Sequence, residues 1–330
     1  LFLHYGLYSL LGRHEWVQFQ EKIPVRDYAR LAESFRAERF DADAITALAV
    51  DAGMRYVNLT TRHHDSFCLF RTAKTEFQSL NTPCGRDLVG ELAAACDRRG
   101  LGLCLYYSHG RDWRHPHAPG NGRWGGGAQP AYDPPDPTYL PDADRDLNRY
   151  LDFMKGQIAE LLTQYGPIAS IWLDGIAVPL SGDASAFRCQ ELYDHIHRLQ
   201  PQVLVSYKQG VTGTEDYFAP EHGIPEGEAT AAQRGRIDRA AGKTIEVCTT
   251  MSPGSWGYKK DEAGQHLTEE QVWAKLEDAG RRGYNLLLNT GPLPDGSIDP
   301  EDAVTLRRVG ARLKREGWPG LGRVGGPTAG

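Results

Sequence analysis

The chain has 330 residues, a net charge of −6 and 40% hydrophobic residues, among them 7 Trp, 15 Tyr and 10 Phe. That is ample for a large core, either in one α/β barrel or in two average domains. The acidic balance and the lack of a basic stripe argue against a nucleic-acid partner, and the lack of a run of about 18 apolar residues argues against a transmembrane helix.

The chain opens inside an apolar run, Leu1–His4, with no initiating Met. Upstream residues are therefore expected to be missing, which leaves open both the cellular location and whether a signal peptide preceded the chain. Further β-type runs follow at Met54–Thr60, Leu101–Ser108, Ala169–Asp174, Val203–Tyr207, Thr244–Thr249 and Tyr284–Asn289. Amphipathic segments lie between them, near 26–35, 41–52, 86–99, 144–164, 184–199, 268–281 and 300–315. In the third of these, Leu88 and Leu92 share one helix face, and Gly100 is placed to end the helix. Strands alternating with helices predict βαβ units and a parallel sheet. Seven such strands favour a closed barrel, (β/α)8-like and possibly irregular because an eighth strand is not evident. The stretches 110–142 and 209–243 read as long loops on the face where strands end. Residues 1–316 are read as the barrel and 317–330 as a flexible, linker-like tail.

Six cysteines, Cys68, Cys84, Cys96, Cys104, Cys189 and Cys248, show neither the CxxC nor the CxxH spacing of a zinc site. Cys68, Cys104 and Cys248 sit in strand-like contexts and read as small buried hydrophobes.

Ile171-Trp172-Leu173-Asp174-Gly175 carries the sharpest functional signal. A buried strand ends on one carboxylate exactly where Gly175 lets the chain turn away. In a barrel, that end of the strand is where chemistry is done. The structural alternative is a helix N-cap, a role Asp also favours. Polar and aromatic residues gather at the other strand ends: His4, Glu15 and Trp16; His63, His64 and Asp65; Tyr106, His109 and Trp113; Trp172; Lys208; then Glu221, Glu246, Trp256 and Tyr258. His63 and His64 with Asp174 and His4 have the composition of a metal site. Adjacent residues of a strand, however, point to opposite faces, so both rings reach one ion only if the strand has already ended. The other chemistry such a set suits is sugar recognition and cleavage. Aromatic rings stack on a pyranose, polar side chains reach its hydroxyls, and two carboxylates suffice for glycoside hydrolysis. Any single Trp or Tyr could equally serve only the core.

Taken in order, His4-Tyr5-Gly6-Leu7-Tyr8-Ser9, Glu15-Trp16, Thr61-Arg62-His63-His64-Asp65-Ser66-Phe67, Tyr106-Tyr107-Ser108, Ile171-Trp172-Leu173-Asp174-Gly175, Ser255-Trp256-Gly257-Tyr258 and Asn285-Leu286-Leu287-Leu288-Asn289 make the chain resemble the α-L-fucosidases of glycoside hydrolase family 29. The resemblance spans nearly all of 1–316 and implies a (β/α)8-like, TIM-type barrel. It also implies a retaining two-step mechanism without a cofactor or metal, acting on a small molecule or glycan that bears terminal α-L-fucose. Asp174 matches the family's nucleophile. His4, Glu15, Trp16, His63, His64, Tyr106, Trp172 and Trp256 match residues of the fucose pocket. Glu221 matches one family position for the general acid/base, expected to lie in apolar or acidic surroundings. Glu246, which matches another carboxylate considered for that role, is read as holding a sugar hydroxyl or another side chain. Three departures stand out: Tyr5 where Trp is usual, Lys208 where Arg is frequent, and no β-sandwich of the kind that commonly follows the barrel. Lys208 replaces a bidentate fork with one ammonium. Two other readings stay open: a fucose-binding or weakly active barrel protein, and a metal-dependent barrel hydrolase.

Overall fold

The computed structural model describes residues 1–125, 127–223 and 242–320. Eight parallel strands lie in the spatial order β5-β4-β3-β2-β1-β8-β7-β6. They are β1 (Phe2–Leu3), β2 (Tyr56–Arg62), β3 (Gly102–Ser108), β4 (Ser170–Asp174), β5 (Leu204–Ser206), β6 (Tyr217–Phe218), β7 (Thr244–Thr250) and β8 (Asn285–Thr290). All neighbouring pairs run parallel, so the sheet curls into the (β/α)8 barrel that the alternating pattern predicts. β5 and β6 do not form a regular ladder. Their seam is closed by the Asp216 amide donating to the Val205 carbonyl (2.9 Å), the Val205 amide donating to Asp216 Oδ2 (2.7 Å) and the Ala219 amide donating to the Lys208 carbonyl (2.9 Å).

The eighth strand, β6, lies inside the stretch read from sequence as a single loop over 209–243. With two residues, it has no alternation to betray it. The stretch before it folds around the Glu215 carboxylate, which accepts amides of Val211, Thr212 and Gly213. Residues 224–241 of that stretch lie outside the described residues.

The outer helices bury the faces their periodicity predicts. The helix Leu88–Arg99 is N-capped by Asp87, which accepts the Gly90 amide at 2.9 Å. It buries Leu88, Val89, Leu92, Ala95 and Cys96, and ends at Gly100, whose φ of 65° is open to glycine at little cost. Outward-facing Leu59, Leu105, Ile171, Leu173 and Val205 complete this layer. The barrel interior is aromatic and polar instead: Phe2, Tyr106, Trp172, Tyr217, Cys248 and Leu287 pack together inside it.

The stretch 110–142 carries two short helical turns, Asn121–Trp124 and Asp142–Asp144, and buries Trp113 and Trp124. All six cysteines are free and buried. Of the tail, Pro319 lies so close over Gly280 that a Cβ there would meet the Pro319 carbonyl at 2.3 Å; residues 321–330 lie outside the described residues. Among the described residues no helix is long and apolar enough to cross a membrane.

Candidate active site

A cavity of about 680 Å³ opens at the C-terminal ends of the strands. Asp174 closes β4 and sits at its floor, with Gly175 directly after it at φ 86°. The turn is tight. A Cβ on Gly175 would lie 2.9 Å from the Arg111 amide nitrogen, and one on Gly110 would lie 2.1 Å from the Gly175 carbonyl. The Asp174 carbonyl accepts the amides of His109 (3.0 Å) and Gly110 (2.9 Å), so the backbone that carries the carboxylate is pinned to the next loop. Asp174 caps no helix: the backbone amide that its Oδ1 accepts is that of the adjacent Gly175, and the turn Ala177–Leu180 starts beyond Ile176.

The Asp174 side chain is a matched anion. Oδ1 pairs with Lys208 Nζ at 2.8 Å, and Oδ2 accepts the Tyr106 hydroxyl at 2.6 Å. Burial opposes its ionisation, but the Lys208 charge and the hydrogen bonds from Lys208 and Tyr106 outweigh it and hold the carboxyl well below the usual range. The same Nζ donates to Glu221 Oε1 at 2.6 Å. Because both oxygens touch one nitrogen, they can be no further apart than the sum of the two contacts, 5.4 Å. Lys208 is buried. That works against its charge, yet Asp174 and Glu221 more than compensate, so it stays protonated. Its backbone adopts φ 46° and that of His222 φ 58°, a left-handed conformation unusual for such residues, on either side of the pair. Glu221 itself pairs with β7 through a bridge to Cys248, an irregular extension of β6. Its neighbour is the Lys208 ammonium, which corrects the expected apolar or acidic surroundings.

The imidazoles form the wall beside Asp174. β2 ends at Arg62, so His63 and His64 are free of strand alternation and both turn inward, with ring centroids 4.2 Å apart. His63 stacks on Tyr106 at 5.5 Å and an interplanar angle of 8°, and Tyr106 stacks on Trp172 at 5.6 Å. His4 Nδ1 donates to Asn289 Oδ1 at 2.7 Å, and burial pushes its pKa down to about 3. Glu15 Oε2 accepts the amides of Trp256 (3.1 Å) and Gly257 (2.8 Å), fixing the loop that carries Trp256 beside His4. Burial, only partly offset by those amides, raises Glu15 to about 7. Trp16 packs on His64 and Trp113, under the Arg111 guanidinium.

Of the sequence-predicted residues, His4, Glu15, Trp16, His63, His64, Tyr106, Trp172, Asp174, Lys208, Glu221 and Trp256 all line this cavity. Glu246 does not. It lies on β7 inside the barrel beneath Trp172, accepting the indole N–H at 3.1 Å and hydrogen bonds from Tyr56 and Asn285. Its placement as a sugar ligand is corrected to the other role foreseen for it, support of another side chain. Residues the sequence did not single out also line the cavity, notably Phe2, Arg111, Lys259 and Glu262. Phe2 was concealed in an apolar strand, and the other three sit in loops without periodicity. As for a metal, His63, His64 and Asp174, three of the four residues considered from composition, offer ligand atoms within 4.8 Å of one another; His4 is not among them. A cation there would have to displace Lys208 from a carboxylate that it already neutralises.

A model of the family Alpha-L-fucosidase matches residues 1–318. The chain is 27% identical to the tissue α-L-fucosidase of Rattus norvegicus over 96% of its own length and 66% of that protein's. It is 27% identical to a putative α-L-fucosidase of Caenorhabditis elegans, over 90% of itself and 60% of that protein. The chain thus spans about three fifths to two thirds of the length of these relatives. Among solved structures it superposes on the α-L-fucosidase isoenzyme 1 of Paenibacillus thiaminolyticus with a TM-score of 0.83 and 35% identity, covering 96% of this chain and 73% of that one. It also superposes on α-L-fucosidase AlfC of Lactobacillus casei in complex with α-L-fucose product, with a TM-score of 0.80 and 29% identity over 95% and 94% of the two chains. With the barrel, the strand-end carboxylate and the family model in agreement over nearly its whole length, the chain belongs to the α-L-fucosidase family.

Proposed function

We propose that the chain is a retaining exo-glycosidase that hydrolyses α-L-fucosides, with Asp174 as nucleophile and Glu221 as general acid/base. The observation that carries this reading is the pair of carboxylates held on one ammonium, their nearest oxygens no more than 5.4 Å apart. That suits the retaining arrangement, with carboxyls about 5–5.5 Å apart, better than the wider inverting one. Asp174 is held as a carboxylate and aimed by Tyr106 and Lys208. In the first step its Oδ attacks the anomeric carbon while the glycosidic bond breaks. Glu221, having taken up a proton and turned from Lys208 to the leaving oxygen, protonates the departing alcohol. In the second step Glu221 removes a proton from water, which attacks the same carbon and frees Asp174. The rings of Tyr106, Trp172 and Trp256 supply apolar surface for the sugar.

The test is aryl α-L-fucoside hydrolysis by the wild type, Asp174→Gly and Glu221→Gly, with and without azide. Formation of β-fucosyl azide by Asp174→Gly is the expected result. Full activity of that variant removes Asp174 from the role. Fucose affinity without turnover in the wild type points instead to a binding protein, and activity lost to a chelator points to a metal-dependent hydrolase.

A further inference from the structure

The hydroxyl of Ser108, the last residue of β3, is fully buried and has one proton to give. It donates to the carbonyl of Arg111 at 2.7 Å, an atom that can only accept. Its other contact is Nδ1 of His64, at 2.6 Å. With its single proton committed, the hydroxyl can only accept there, so Nδ1 of His64 must carry a hydrogen. Burial, then the neighbouring His63, hold the His64 ring well below its ordinary pKa and hence neutral. A neutral ring protonated at Nδ1 leaves Nε2 a bare lone pair. Nε2 points at Asp174 Oδ2 from 3.8 Å, so the contact that resembles an ion pair is two acceptors facing each other.

The same count applies to His4. Asn289 Nδ2 donates to the Trp256 carbonyl at 2.8 Å and to Thr250 Oγ1 at 3.0 Å, so its Oδ1 is the acceptor for His4 Nδ1–H. His4 Nε2 is then bare as well, and both imidazoles line the cavity.

We infer that Ser108 is a positioning residue: its relay from His64 Nδ1–H to the Arg111 carbonyl fixes the His64 tautomer, so that beside Asp174 the site offers an acceptor that a ring hydroxyl of the substrate must answer as donor. The relay belongs to a latch. The Trp113 amide donates to the His64 carbonyl at 2.7 Å, and Arg62 Nη1 donates to the Ser108 carbonyl at 2.8 Å. Ring and backbone of His64 are thereby tied to the same loop. A hydroxyl donating to His64 Nε2 also separates that lone pair from the Asp174 carboxylate, so substrate relieves a repulsion present in the resting site.

The tautomer concerns the resting protein alone, while its catalytic consequence rests on the fucoside reading. The two are tested separately. In protein labelled with ¹⁵N-histidine, long-range proton–nitrogen correlation assigns the His64 ring in wild type, Ser108→Ala and Ser108→Thr. The wild type is expected to be neutral with the proton on Nδ1. Ser108→Ala should populate the Nε2–H form and lose roughly tenfold in kcat/KM, as one misplaced hydrogen bond costs, while Ser108→Thr, which keeps the hydroxyl, retains both properties. A wild-type ring protonated on Nε2, or unchanged nitrogen shifts in Ser108→Ala, overturns the inference. The wild-type spectrum decides this even where a variant folds poorly or the substrate class proves different.

Discussion

Removing the ammonium that Asp174 and Glu221 share is the perturbation to which this site should respond most. In Lys208→Met the two carboxylates, no more than 5.4 Å apart at their nearest oxygens, lose the charge between them. At an effective dielectric of about 20, two unit charges at that greatest separation repel by about 3 kcal/mol, which a closer approach would raise and the solvent reaching Glu221 lowers. The sign follows from Asp174, whose pKa is depressed chiefly by Lys208 against the cost of burial. In the wild type the carboxylate form persists well into acid, so the acid limb of kcat/KM lies low. In Lys208→Met that support is gone, the Asp174 pKa rises, and the acid limb moves towards neutral pH. At the optimum, losing one buried charge-stabilising group should cost on the order of 10²–10³-fold in kcat. The assay is aryl α-L-fucoside hydrolysis across pH, with Lys208→Arg as the charge-conserving control. Lys208→Arg should keep the acid limb in place. A Lys208→Met enzyme whose limb does not move would refute the electrostatic argument.

Three further outcomes are expected. Glu15→Gln keeps an oxygen for the Trp256 and Gly257 amides and removes a carboxyl raised to about 7 in the fold from 4.5. Folding stabilised by that bound proton is present at acid pH and lost as pH rises through that window, so thermal unfolding should show the variant gaining on wild type between about pH 4.5 and 7. Glu246→Gln preserves the shape beneath Trp172 and should leave kcat and KM within a few-fold, whereas Glu246→Leu should lower the melting temperature by leaving Tyr56 and Trp172 unpaired. A KM rise in Glu246→Gln comparable to that of a pocket residue would place the carboxylate on the sugar after all. Gly175→Ala forces a left-handed alanine and a Cβ 2.9 Å from a backbone nitrogen, which should cost more than about 2 kcal/mol in denaturant unfolding and reduce activity with it. An unperturbed Gly175→Ala would mean that the turn after Asp174 is slack.

Asp174 stood out because a buried strand advertises itself by its apolar run, and the helix N-cap that could also explain a carboxylate at its end is not formed. His63 and His64 were harder. Only knowing that β2 stops at Arg62 shows that both rings can face one cavity. Glu246 marks the limit of such reasoning. Alternation on β7 turns it into the barrel, but inside a barrel depth decides between ligand and support, and depth comes from register with the neighbouring strands. β6 was invisible for a different reason. Its two residues are held by contacts with β7 and with the irregular seam, so nothing local in Tyr217-Phe218 encodes a strand. Arg111, Lys259 and Glu262 reach the cavity because their loops fold back over it, a long-range outcome without periodicity.

The seam between β5 and β6 gives the barrel a mechanical character. Asp174 stands on the side of the ring where β3, β4 and β5 are laddered continuously, whereas Glu221 hangs beyond β6, across a joint made by three amides and one aspartate side chain. Lys208, leaving β5, spans that joint as a clasp. The gap between the two carboxylates is therefore set at the least stiff point of the cylinder, and widening the joint would slacken Glu221 while leaving Asp174 in place. A residue such as Asp216, outside the cavity lining, thereby acquires leverage over how far apart the two carboxylates stand.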